Sequence, residues 1–164
     1  MHWAYVKRGL ISQCEFLEAP FDAVDLDICE DVTVRNCQFA KAGNDGLDLM
    51  TSAVTVVGCR FESCGDKGIS VGEASQLSLD GNLYRGCQIG IQIKDSSQVR
   101  AKRIEMQSCT TGISLLYKNR LYSEEGSIEA RSLHCNGVGQ AVAGNKRFRV
   151  AIDAIFLDGE RWEP

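Results

Sequence analysis

The chain has 164 residues, 44% of them hydrophobic but only 7% aromatic, with 16 glycines and eight cysteines. That length fits one domain. A net charge of −4 leaves no basic footprint for nucleic acid, and no run of ~18 apolar residues is present to insert in a membrane.

The opening stretch, Met1 to Leu10, has neither the apolar core nor the small-residue cleavage site of a signal peptide. Residues 1–20 read as a partial turn or cap: Ile11, Cys14 and Phe16 fall where later turns place apolar residues, and Trp3 and Tyr5 are candidates to cover an open end. From residue 21 to residue 157 a repeat takes over. Gly46-Leu47-Asp48-Leu49 recurs 22 residues later as Gly68-Ile69-Ser70-Val71. It recurs again as Gly90-Ile91-Gln92-Ile93 and Gly112-Ile113-Ser114-Leu115.

A second series runs in step with the first. Val32-x-Val34 with Cys37-x-Phe39 returns as Val54-x-Val56 with Cys59-x-Phe61, then as Leu77-x-Leu79 with Asn82-x-Tyr84. Degenerate copies follow at Val99 to Met106, Ile128 to Cys135 and Val150 to Leu157. Each turn thus carries an alternating apolar pair three times, and alternation of period two means strands with one buried face. About 22 residues holding three short strands leave no room for helices, so each strand must pair with its copy one turn on. The fold expected is all-β: a single-stranded right-handed parallel β-helix of about seven turns, roughly 30 Å long at one strand spacing per turn. The recurrent glycine opens the first strand, where a corner φ or a close approach favours it.

One turn breaks the period. Thirteen positions separate Leu115 from Ile128, against six between Ile93 and Val99. Residues 116–126 therefore leave the cylinder as a loop carrying Tyr117 and Tyr122. Residues 158–164 form a tail outside the repeat, with Trp162 and the preceding Phe156 as candidate caps. The cysteines follow the repeat: Cys14, Cys37 and Cys59 share one position, Cys87 and Cys109 another. With no CxxC motif and only two histidines, they read as reduced, buried thiols acting as small apolar residues.

Three strings, Asp45 to Leu49, Gly65 to Ser75 (GDKGISVGEAS) and Ile89 to Ser97 (IGIQIKDSS), resemble bacterial β-helix repeat modules of the pectate-lyase-like superfamily. The resemblance extends over about residues 20–160. It implies a right-handed parallel β-helix and a bacterial surface or extracellular setting inside a larger protein, although free cysteines without a leader fit the cytoplasm too. It also points to the outer face of the first sheet, where enzymes of this fold cleave or epimerise acidic polysaccharides with calcium-binding aspartates and an Arg or Lys base. The DPHD-type motif of the mannuronan epimerases and the RxPxxR-type lyase motif are both missing from this chain.

In the GLDL strand the leucines point inward and Asp48 points out. Its column reads Asp25, Asp48, Ser70, Gln92, Ser114, and the corner column before it reads Asp22, Asp45, Lys67, Ile89, Thr111. Two carboxylates one strand spacing apart repel, so Lys67, a cation or solvent must offset them. Calcium, which takes several oxygen ligands, would sit on Asp25 and Asp48. If the domain is catalytic, Lys67 is the candidate base and Asp48 its partner. A base needs a lowered pKa, whereas neighbouring aspartates push a lysine upward. The binding residues expected are Asp25, Asp45, Asp48 and Lys67, with Tyr117 and Tyr122 as sugar platforms. The function expected is a non-catalytic scaffold that binds carbohydrate or protein on this face; the alternative is a polysaccharide lyase or uronate epimerase. Stacking of solenoid ends into oligomers is a third role.

Overall fold

The computed structural model describes residues 1–162; the last two residues of the expected tail lie outside them. All its regular structure is strand and turn. The first turn holds β1 (His2–Ala4), β2 (Leu10–Ser12) and β3 (Glu15–Leu17). The second holds β4 (Val24–Asp27), β5 (Val32–Arg35) and β6 (Gln38–Ala40). The third holds β7 (Leu47–Met50), β8 (Ala53–Val57) and β9 (Arg60–Glu62), and the fourth β10 (Lys67–Gly72), β11 (Gln76–Asp80) and β12 (Asn82–Arg85). The fifth turn is β13 (Ile89–Lys94) and β14 (Gln98–Gln107), the sixth β15 (Thr111–Leu116) and β16 (Ser127–Asn136). The seventh is β17 (Gln140–Gly144), β18 (Arg149–Ile152) and β19 (Ile155–Leu157), after which β20 (Glu160–Trp162) folds back.

Every strand before β20 pairs in parallel with its copy one turn away. The first sheet orders β1-β4-β7-β10-β13-β15-β17, seven strands for seven turns. Its register aligns Val24, Leu47, Ile69, Ile91 and Ile113 in one inward column, and Leu26, Leu49, Val71, Ile93 and Leu115 in the next. Most of these side chains are completely buried; each contributes on the order of 1.5–3 kcal/mol by leaving water. On the third side Phe16, Phe39, Phe61 and Tyr84 stack with centroids 5.0, 4.7 and 5.1 Å apart. Met106 and Cys135 continue that column.

The second and third strands remain separate through turn four and join in turns five and six. At the separating corner Gln13, Asn36, Gly58 and Gly81 adopt left-handed φ of 55°, 51°, 62° and 62°. Each precedes an inward residue, Cys14, Cys37, Cys59 or Asn82. No residue of β14 or β16 has a positive φ, so the strand runs through the bend unbroken.

The glycine column resolves to close approach. A Cβ on Gly46, Gly68, Gly90 or Gly112 would sit 2.6–2.8 Å from the carbonyl oxygen of the next turn. Gly68 would also meet the Tyr84 ring at 2.6 Å. The first sheet and the aromatic ladder meet here with no space for a methyl group.

All eight cysteines are free, and seven are buried. Cys64 joins Cys87 and Cys109 at the third corner, each behind a left-handed residue: Ser63, Gly86 and Ser108. Cys29 stands at the first corner, where later turns place Ser52, Ser75 and Ser97, and each hydroxyl accepts the backbone N–H of the preceding turn's equivalent residue.

The inserted loop is strapped to the corner after β13. The Asp95 carboxylate accepts the N–H groups of Lys118 and Asn119 at 2.7 and 2.8 Å, and the Ser96 hydroxyl accepts the N–H of Ser123 at 2.9 Å. At the far end β20 pairs antiparallel with β19, setting Trp162 opposite Ile155. Phe156 stacks on His134 at 4.5 Å. Trp3 is half-buried within β1, while Tyr5 is 74% exposed.

Candidate functional site

The outer face of the first sheet carries two polar columns. In the first, Asp25 pairs with Asp48, Asp48 with Ser70, Ser70 with Gln92, and Gln92 with Ser114. Although these residues point outward, Ser70 is fully buried and Gln92 nearly so: a short hydroxyl lies between the longer Asp48 and Gln92. Asp25 Oδ1, Asp48 Oδ1 and Ser70 Oγ are shut off from solvent and make no hydrogen bond among the described residues. Burial is the main reason the Asp25 carboxyl rises from 3.8 to about 6, with Asp27 and Asp48 adding repulsion and His2 opposing it.

The second outward column, two positions further along each strand, reads Asp27, Met50, Gly72, Lys94 and Leu116, by the pairings of β4, β7, β10, β13 and β15. Gly72 matters here. A Cβ on it would lie 3.1 Å from Lys94 Cε and 3.3 Å from Nζ, so the lysine lies flat across the glycine toward the acidic turns. Lys94 is 9% exposed. Glu73, beside it, is raised by burial and lowered by Lys94, with Asp95 and Asp48 raising it further. Asp48, Glu73 and Lys94 therefore share one electrostatic neighbourhood.

The corner column is tied into the scaffold. Asp22 accepts the N–H of Asp45 at 2.9 Å, and Asp45 accepts the N–H of Lys67 at 3.1 Å. Each carboxylate thus holds the start of the next turn's strand. The Lys67 ammonium lies 3.3 Å from Asp45 and 2.5 Å from Asp66. Burial lowers the Lys67 pKa, but the hydrogen bond that its ammonium donates to Asp66 and the charge of Asp45 outweigh it, so the net shift is upward. Burial likewise lifts Asp45 from 3.8 to about 6, against the opposing pull of Lys67. A lysine held as a cation by two carboxylates is not disposed to take up a proton.

The structure therefore brings Asp25 and Asp48 together, and Asp45 with Lys67. His2 joins Asp25 and Asp27: its Nε2 lies 3.0 Å from Asp27 Oδ2 and 3.9 Å from Asp25 Oδ2. One donor atom from each of these three residues lies within 4.8 Å of the others, and Asp48 is the next carboxylate along. Asp25 and Asp48 alone are few ligands for calcium, which takes six to eight oxygens. Tyr117 and Tyr122 are half-buried on the loop of the sixth turn. They stand three turns from Asp48, about 14 Å by strand spacing.

Lys94, Asp27 and His2 were not legible as site residues. The signal that could have found Lys94 and Asp27 is the second outward column, offset by two from Asp48; His2 extends the first column, opposite Asp25. A surface cavity of about 590 Å³ lies elsewhere, over the outer face of β8, β11, β14, β16 and β18, with Arg100, Lys102, Arg131 and Arg149 around it. Lys102 is paired there to Asp80 at 2.7 Å, and Arg149 to Glu129 at 3.3 Å.

Compared with known families, residues 4–152 match the model described as a right handed beta helix region. No curated protein matches the chain.

Proposed function

The chain belongs to the right-handed β-helix family, and from that premise we propose that it is a non-catalytic binding module whose first-sheet face takes up a carbohydrate. One observation carries the reading: Asp25 Oδ1, Asp48 Oδ1 and Ser70 Oγ stand in a row on consecutive turns with no hydrogen-bond partner. Leaving such groups unmet costs about 1–3 kcal/mol each. The Asp25 and Asp48 side chains are themselves half-buried, so a sugar chain lying along the solenoid axis would reach their carboxylates and, by turning them outward, uncover Ser70 and give each unmet atom a hydroxyl, while Lys94 across Gly72 and Gln92 beside Ser70 would meet its oxygens. Because the row is anionic at neutral pH, a neutral glycan suits it better than a uronate.

The same geometry weighs against the lyase or epimerase alternative. Lys67, the candidate base, is ion-paired on both sides, and Asp45 serves the backbone of the next turn. The test combines glycan-array and calorimetric binding with an absorbance assay for unsaturated uronates, with and without millimolar calcium. Binding of a neutral oligosaccharide that weakens in Asp48→Asn and Ser70→Ala is the expected result. Release of unsaturated product would overturn the non-catalytic reading. Absence of glycan binding would leave the row as a polar surface only.

A further inference from the structure

We propose that the stacked thiols of Cys64, Cys87 and Cys109 form a site for a soft, two-coordinate monovalent cation, Cu(I). This inference is independent of the first-sheet face. The three residues occupy the third corner on consecutive turns and are each 2% exposed and unoxidised.

The side chains of Cys87 and Cys109 repeat one rotamer. Cys87 Sγ lies 3.8 Å from the Phe61 carbonyl and 3.7 Å from that of Arg85. Cys109 Sγ lies 3.8 Å from the Tyr84 carbonyl and 3.7 Å from that of Gln107. Identical rotamers on in-register parallel strands set neighbouring sulfurs one strand spacing apart, about 4.8 Å. With metal–thiolate bonds of about 2.3 Å, an ion with two sulfurs in line spans about 4.6 Å. The backbone register thus holds sulfurs at the span a linear ion needs. A straight row cannot supply the four tetrahedral ligands of zinc, and thiolate ligands favour Cu(I) among the soft ions.

The step balances without a redox change. One Cu(I) enters between two thiols, both S–H bonds break, two Cu–S bonds form, and two protons leave to solvent. No atom changes oxidation state, and the bis-thiolate keeps one negative charge in place of the two that unpaired thiolates would carry. Entry needs only local opening of a corner, where Ser63, Gly86 and Ser108 hold the chain in the left-handed region.

Cys29 provides an internal control. It adopts the same rotamer, 3.5 Å from the Trp3 carbonyl and 3.4 Å from that of Asp27, but its neighbour on the next turn is Ser52, not a thiol. The experiment is anaerobic titration of the reduced protein with Cu(I) against a chromogenic Cu(I) chelator. Wild type should withdraw copper, Cys87→Ser at least about one ion fewer per molecule, and Cys29→Ser as much as wild type. Affinity should rise with pH, because binding releases protons. Failure of wild type to compete, equal binding by Cys87→Ser, or an equal loss in Cys29→Ser would overturn the proposal. If Cys87→Ser does not fold, X-ray absorption on copper-loaded wild type decides: two sulfur neighbours per copper support the ladder, and three sulfurs or nitrogen and oxygen neighbours refute it.

Discussion

Replacing Tyr84 by Phe should make the protein more stable. Tyr84 is fully buried in the aromatic ladder, 5.1 Å from Phe61 and within 8° of coplanar with it. The two rungs before it are Phe61 and Phe39, so a phenyl ring is already the ladder's own solution at this position. The Tyr84 hydroxyl makes no hydrogen bond among the described residues, and burial raises its pKa well above 10.0, which keeps it neutral. A buried polar group without a partner costs about 1–3 kcal/mol relative to one that stays hydrated. Deleting one oxygen removes that cost and leaves a gap smaller than a methyl group, whose packing penalty is about 1 kcal/mol at most. The net expectation is a gain of about 1 kcal/mol, or about 2–4 °C in melting temperature for a chain of this size. Urea unfolding followed by circular dichroism measures it, with an unchanged m-value showing that only stability moved. A loss of about 1 kcal/mol would refute the reasoning, because it would mean the hydroxyl is satisfied, for example by a buried water.

Two further outcomes follow from the same packing and electrostatics. Gly68→Ala forces a Cβ to 2.6 Å from the Tyr84 ring and 2.7 Å from the Gly90 carbonyl, and overpacking of this kind costs about 1–3 kcal/mol; an unchanged urea midpoint would remove the close-approach explanation of the glycine column. The folded-state pKa of Asp25 is raised from 3.8 to about 6, so the native state holds a proton that the unfolded chain has lost in that interval. The stability from Asp25 is therefore full below pH 3.8 and declines as pH rises to about 6. Asp25→Asn should flatten that decline in a series of melts, and an identical pH profile in the variant would show that Asp25 is not the group responsible.

The period of 22 from Gly46 to Gly112 settled the solenoid and its columns because in-register stacking makes each position repeat its own environment. The alternation of Leu47, Asp48 and Leu49 settled which face each residue takes. The pairing of Asp25 with Asp48, and of Asp45 with Lys67, could be read before any coordinates, since a column needs only the repeat length. What the sequence left open depends on how deeply side chains lie and which way long ones turn. Nothing in the order of residues says that Ser70 and Gln92 are buried on an outward face. Nor does it say that Lys94 folds back across Gly72, because that direction is decided by space on the neighbouring turn. His2 reaches Asp27 only because β1 adds a strand beside β4, a pairing whose degraded copy hid the register. The merging of strands into β14 and β16 turns on φ at one corner. The thiols of Cys64, Cys87 and Cys109 stand on one corner only because Ser63, Gly86 and Ser108 before them turn the chain through the left-handed region. Periodicity determines which residues are neighbours along the axis; tertiary packing alone decides which of their polar atoms are left without a partner.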